Sequence, residues 1–434
     1  MFLNKLEILN NKYLKNISWL FLERLLKMIV GLFIGVWIAR YLGPNEYGLL
    51  SYVQSIIAIL LVFSTLGLDQ IVVKELVEDN YSEKKILGTT FILKLMGSLI
   101  LFAMLFFISL ITSNDEYTNL LIFLAALSSI FQAFNVIDFY FQSKVLSKYV
   151  VFSSIFMLIL SSIVKIILII NKFSLIYFVF VMLLDSLILA ICLIYFFKIN
   201  GGEILKWSFD LKTSKKLLKS SWPLILSGLV IGVYMKIDQV MIKEILGVYY
   251  VGQYAAAVKL SEALYFLPVI ITKSLFPAII KSKQLSNEVY TNRMQSLYFL
   301  LTRFSLAIAI IVSILSPFII ETLYGIDYNE AVNVLIIHVW SLIFVSIGVI
   351  YNSWLINEGY TKKTFPRALL GMTVNIVLNY LLIPTYGIEG AAIASLIGYI
   401  CADIIYDFFD KDVKQALRLK IKAILIINIT KEKK

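Results

Sequence analysis

The sequence predicts an all-α polytopic membrane protein, with twelve transmembrane helices in two six-helix lobes around a central cavity. Three observations predict it. The 434 residues are 60% hydrophobic and only 15% charged, with a mean hydropathy of +0.87. A soluble domain is about 45–50% apolar and about 25% charged. The apolar residues fall into runs long enough to cross a bilayer. The two halves of the chain also share a turn motif at a constant offset. This composition excludes a soluble enzyme, a disordered chain and a nucleic-acid-binding module.

A helix needs about 20 apolar residues to cross about 30 Å of hydrocarbon, and it must satisfy its own backbone there. Twelve segments qualify: 16–40, 47–68, 86–112, 118–142, 149–171, 173–197, 218–242, 251–272, 294–316, 331–356, 366–384 and 386–409. Pro44, Pro223, Pro317, Pro366 and Pro384 are read at span ends, where a missing N–H matters little. Pro268, late in the eighth span, and Pro277, just after it, predict a kink or an early exit. No removable signal peptide is expected, because the first apolar stretch carries Glu23, Arg24 and Lys27 and no cleavage site follows it.

The net charge of +11 reflects topology. With both termini inside, 28 of the 39 Lys and Arg fall in cytoplasmic segments and 3 (Arg40, Lys172, Lys243) in external loops. The positive-inside rule then places both ends in the cytoplasm. Segment 69–85 reads as an amphipathic connector on the inner face, and the basic tail 410–434 as an interfacial helix. Cys192 and Cys401 lie far apart, each in an apolar run, and His338 is the sole histidine, so neither a disulfide framework nor a metal site is suggested.

An internal repeat organises the chain. Leu42–Gly43 with Gly48, and Leu246–Gly247 with Gly252, form two L-G-x4-G turns offset by 204 residues. Ser18–Trp19 and Ser221–Trp222 precede them at an offset of 203. Glycine at these places implies backbone positions hostile to a Cβ. The repeat gives a lobe at 1–197, a cytoplasmic linker at 198–217, a lobe at 218–409 and a tail at 410–434. Parallel repeats of this kind enclose a central site.

Three stretches carry a family resemblance: A-R-Y-L-G-P-N-E-Y-G at Ala39–Gly48, F-S-T-L-G-L-D at Phe63–Asp69, and N-I-V-L-N-Y-L-L-I-P-T-Y-G-I-E-G-A-A-I-A-S at Asn375–Ser395. With them the chain resembles, over about 12–409, the polysaccharide flippases (Wzx-type O-antigen, capsule or repeat-unit transporters) of the multidrug/oligosaccharidyl-lipid/polysaccharide exporter superfamily. The resemblance implies a bacterial cytoplasmic (inner) membrane protein. Such a protein carries an undecaprenyl-diphosphate-linked oligosaccharide between leaflets by alternating access, near a polysaccharide polymerase and glycosyltransferases. It supplies no shared catalytic motif.

Charges inside spans are costly unless they face a bundle interior or water. Glu23 and Lys27 are i,i+4, and Lys259 and Glu262 are i,i+3, so each pair can neutralise itself. Lys94, Lys165 and Arg303 have no acid within a turn and need partners from elsewhere. Arg24, Lys27, Lys94, Lys165, Lys236, Lys259 and Arg303 are therefore the candidate cationic ligands for a diphosphate, with Arg offering a bidentate fork. Asp138, Asp185, Asp238 and Asp403 are candidate counter-ions or coupling sites. Lys94 and Lys273 also have a bland reading, snorkelling to the interface. Tyr234, Tyr265, Tyr351 and Trp354 are candidates for stacking on sugar rings. His338 is expected to hydrogen-bond a neighbouring helix.

No cofactor is expected; a proton or sodium gradient or the membrane potential would supply the energy. A multidrug or cation antiporter of the same fold is the alternative, disfavoured by the lone basic residues. A membrane enzyme is not expected, because the longest external loop, 317–330, is too short for a catalytic domain.

Overall fold

The computed structural model describes residues 2–78, 82–112 and 114–425. Among these the chain is mostly helical and has no strand. Ten segments are long and apolar enough to cross a membrane. Two of them, Ser18–Glu78 and Thr361–Phe408, run to 61 and 48 residues. Gly43 (φ 68°) breaks the first and Gly387 (φ 60°) the second. Division at these glycines gives twelve traverses, consistent with the count read from the sequence.

Two compact units emerge. One comprises residues 1–42 and 52–232, the other 43–51 and 233–434. In the first unit, Glu83–Ile111, Glu116–Ser143, Lys148–Ile170 and Leu175–Ile199 surround a core built on Leu68, Leu93, Val136 and Phe141. The connector forms the helix Asp69–Glu78, whose Val72 and Leu76 enter that core; residues 79–81 lie outside the described set. The segment between the repeats is not a loose linker. Trp207 packs on Phe91 and Phe197, the Asp210 amide donates to Thr89 Oγ1 over 3.0 Å, and Lys216 pairs with Glu75 at 2.6 Å.

The apolar runs proved shorter than the helices that carry them. Leu211–Leu246 and Asn287–Tyr324 continue into polar flanks, so Pro223 and Pro317 lie inside helices rather than at their ends. The 317–330 loop shrinks accordingly to Gly325–Glu330. Pro268 acts as expected. Lacking an N–H for the Leu264 carbonyl, it ends Val248–Leu264, and Phe266–Ser282 begins after Tyr265. Pro277 is carried within the second of these helices.

The tail forms a helix that packs on the protein. Lys414–Ile424 forms the amphipathic helix that its spacing predicts. Its inner face is covered by protein: Val413, Ala416, Leu419 and Ala423 join a core with Met294, Tyr298 and Trp354. Residues 426–434 lie outside the described set.

Candidate functional site

The first unit holds a cavity of about 370 Å³. Its polar wall comes from the first helix (Glu23, Arg24, Lys27) and from the fourth span (Asn135, Asp138, Gln142), with Ser154 beside them. Glu23, Arg24 and Lys27 reach one cavity because they fall within about one helical turn. Lys27 pairs with Glu23 at 2.7 Å, as its spacing implies. Gln142 Nε2 donates to Asp138 Oδ1 over 3.0 Å. Arg24 is exposed and has no ion pair among the described residues. Among the described residues the pocket thus presents a guanidinium without an ion pair beside the Glu23–Lys27 pair, the Asp138 carboxylate and amide and hydroxyl groups.

Lys94 lies close to this wall, under the ring of Phe139 at 4.7 Å. It is 2% exposed and faces Asp69 at 3.5 Å, with Asp138 in electrostatic reach, so it does not snorkel. Lys165 finds its partner across helices, at 3.3 Å from Asp185, and both side chains are half-buried.

In the second unit the expected Lys259–Glu262 pair is replaced. Glu262 faces Lys236 at 3.5 Å, and Lys259 lies 5.9 Å over the ring of Tyr47. Arg303 is exposed, with its guanidinium 5.1 Å over Phe299 on its own helix and no ion pair among the described residues. His338 bonds Ser261 at 2.6 Å, a neighbouring helix as expected.

Asp238 is buried within an oxygen-rich cage. Tyr254 Oη donates to its Oδ2 over 2.7 Å, Asn379 Nδ2 to its Oδ1 over 2.6 Å, and Ser395 also donates to Oδ2. Asn375 completes the group through Ser395 and Asn379. Asn379 Oδ1 is buried without a hydrogen-bond partner among the described residues. Three donors thus hold a buried carboxylate within the second unit. No group of three or more His, Cys, Asp or Glu positioned for a metal occurs among the described residues.

Asp403 belongs to a buried charge quartet. Arg367 faces it at 3.2 Å. Lys420 donates to the Asp403 carbonyl over 2.7 Å and pairs with Asp407 at 2.6 Å. Tyr351 Oη donates to Asp407 over 2.6 Å, and both Arg367 and Lys420 lie over its ring. Tyr351 and Trp354 are therefore core residues, closed to a sugar. Arg367, Lys420 and the Asn375–Asn379 pair were not singled out from the sequence. The i,i+4 spacing of the two asparagines was the available signal for the cage. The tail's periodicity held no sign of Lys420's partners.

Similarity to known proteins now bears on this geometry. Residues 13–283 match the family model for polysaccharide biosynthesis protein. The chain belongs to that family. Over 410 residues it is 22% identical to capsular polysaccharide biosynthesis protein CapF of Staphylococcus aureus, covering 92% of this chain and 99% of that one. It is 28% identical over 186 residues to the probable flippase AglR of Haloferax volcanii, 40% of this chain and 37% of that protein. An uncharacterized membrane protein of Methanocaldococcus jannaschii, MJ1375, matches at 28% over 193 residues, 44% of each chain. These last two alignments thus span under half of the relatives they match. Among solved structures, the lipid II flippase MurJ in an inward closed conformation superposes with a TM-score of 0.71, at 18% identity and 95% and 93% coverage. An inward-facing multidrug resistance MATE family transporter of the MOP superfamily gives 0.69, at 15% identity and 91% and 96% coverage. At these identities the structures show a shared fold. The protein is thus a multi-pass membrane member of a polysaccharide biosynthesis family.

Proposed function

We propose that the protein is a flippase that moves an undecaprenyl-diphosphate-linked oligosaccharide between the leaflets of a bacterial cytoplasmic membrane. It works by alternating access, with both termini in the cytoplasm and two six-span lobes. It is a transporter, not an enzyme, and delivers its cargo to polysaccharide assembly enzymes such as a polymerase. Its family and its relatives named as flippase and capsule protein support the class. The observation that carries the reading is Arg24, a guanidinium without a carboxylate partner among the described residues, in a polar cavity of about 370 Å³. A diphosphate offers the bidentate acceptor such a group lacks. Lys27 and Lys94 raise the local positive potential; Lys165, Lys236, Lys259 and Arg303 are further cationic ligands in this reading. Asp138 and Asp185 balance these charges, and Asp238 takes the coupling proton or sodium ion in its cage. Asp403, already matched by Arg367, is a structural counter-ion.

The test is transport of labelled undecaprenyl-diphosphate oligosaccharide by the full chain in liposomes. Arg24→Ala should lower the rate at least about tenfold, since a hydrogen bond to a charged group is worth about 1.5–3 kcal/mol. Undiminished transport by a folded Arg24→Ala protein refutes the pocket. Absence of lipid transport, with a cationic dye exchanged for protons or sodium, replaces the flippase with an antiporter.

A further inference from the structure

Three tyrosines in the second unit form a shelf that the reading above does not use. Tyr234 lies on Leu211–Leu246, Tyr265 at the break that Pro268 imposes, and Tyr399 on Thr364–Ile400. The Tyr234 and Tyr399 ring centroids are 5.1 Å apart, and those of Tyr265 and Tyr399 are 6.3 Å apart. All three side chains keep part of their surface open. Glycines seat the first ring: a Cβ added at Gly398 would lie 3.1 Å from Tyr234 Cε2, and one at Gly371 would lie 3.4 Å from Cζ.

Simple core packing explains the ring contacts but not the polar atoms. A buried tyrosine hydroxyl normally finds a partner. Tyr234 Oη has none among the described residues. Beside the shelf stands the half-exposed Lys236–Glu262 pair, 3.5 Å apart, with Glu262 in electrostatic reach of Tyr265 and Tyr399. Partly exposed aromatic rings, a buried hydroxyl without a partner among the described residues and a charged donor–acceptor pair are groups that a sugar ring can use. Its C–H face lies on an aromatic ring, and its hydroxyls both donate and accept.

We propose that Tyr234, Tyr265 and Tyr399, with Lys236 and Glu262, form a carbohydrate subsite that holds one sugar ring of the cargo. The subsite rests on the flippase reading and adds a sugar contact separate from the diphosphate contact at Arg24. It makes affinity depend on the sugar as well as on the lipid diphosphate.

The experiment measures binding of two probes to the full chain in nanodiscs: undecaprenyl diphosphate alone, and undecaprenyl diphosphate carrying N-acetylglucosamine. The parent should bind the sugar-bearing probe about tenfold tighter, the size of effect a tyrosine anchor gives. Tyr265→Leu and Tyr399→Leu should erase this preference and hold the bare probe within about twofold of the parent. Tyr234→Phe keeps the packed ring and removes only the unmatched hydroxyl. It should lower the preference about threefold, as loss of one neutral hydrogen bond does. The proposal is overturned if Tyr234→Phe keeps the full preference and the leucine variants keep it or weaken both probes equally. A parent that binds both probes equally overturns the subsite and spares the diphosphate site. A parent that binds neither overturns the flippase reading, and the subsite with it.

Discussion

Lys420→Met tests how the tail is held. Lys420 and Asp407 are both 0% exposed and 2.6 Å apart, and Arg367 faces Asp403 at 3.2 Å. Two cations therefore meet two anions away from water. Removing one partner leaves a buried carboxylate uncompensated, which costs about 3–5 kcal/mol. The loss falls first on docking of Lys414–Ile424, because Lys420 is its charged anchor. At 1.36 kcal/mol per factor of ten, amide exchange across 414–424 should quicken by about two to three and a half orders of magnitude. The double variant Lys420→Met, Asp407→Leu removes both charges and leaves Arg367 with Asp403. Its exchange should return to within about tenfold of the parent, because apolar replacement of a whole buried pair is often neutral. Hydrogen exchange read by mass spectrometry on the purified full chain measures all three proteins. Less than about fivefold acceleration in the single variant, or a double variant as loose as the single, would refute the argument.

Further outcomes follow from other contacts. A Cβ added at Gly48 would lie 1.9 Å from the Val248 carbonyl oxygen, and one at Gly252 would lie 2.0 Å from that of Pro44. Gly48→Ala and Gly252→Ala should each destabilise by about 1–3 kcal/mol in thermal unfolding, and their cycle should be non-additive because the sites touch. Asp238→Asn keeps the shape of the cage and removes its charge, so transport should stop responding to a sodium or pH jump; a response equal to the parent's refutes the coupling role. Hydrogen bonds from Lys206 and Lys84 hold the exposed Glu203 carboxylate down to about 2. This pin on the linker is complete above the ordinary value of 4.5 and is lost as pH falls through about 2. Protection of the Ser208 amide, which donates to the Lys84 carbonyl, should therefore persist at pH 4 and be lost with a midpoint near 2, not 4.5.

The spans were legible because hydrocarbon thickness imposes a length on apolar runs, and nothing else in a chain this hydrophobic sets so strict a period. Helix ends were not. Polar residues outside the hydrocarbon continue a helix as readily as they end it, which is why Pro223 and Pro317 lie inside helices. The repeat was legible through glycine. Gly43 and Gly247 take φ values of 68° and 102°, and Gly48 and Gly252 sit against carbonyls of the opposite turn. Two turns that each need a bare Cα cannot drift to other residues without cost. The tail's amphipathic period was readable as well, but periodicity shows that a face is apolar, not what covers it.

The charges divide in the same way. Spacing correctly required Lys94 and Lys165 to look beyond their own helices, because neither has an acid within a turn. Their partners, Asp69 and Asp185, depend on tertiary packing. For Lys259 the local rule lost: Glu262 lies within a turn but faces Lys236 from the neighbouring helix. An i,i+3 pair gains only about 0.2–0.5 kcal/mol on an isolated helix. A half-buried ammonium such as Lys236 gains more from a carboxylate, because desolvation strengthens the contact. A charge inside a span is thus assigned to its partner by burial rather than by spacing. Arg24 then stands out, since in a polar pocket containing two carboxylates, Lys27 takes Glu23 and Gln142 bonds Asp138. An arginine whose local acids are already committed is the group that an incoming diphosphate would complete.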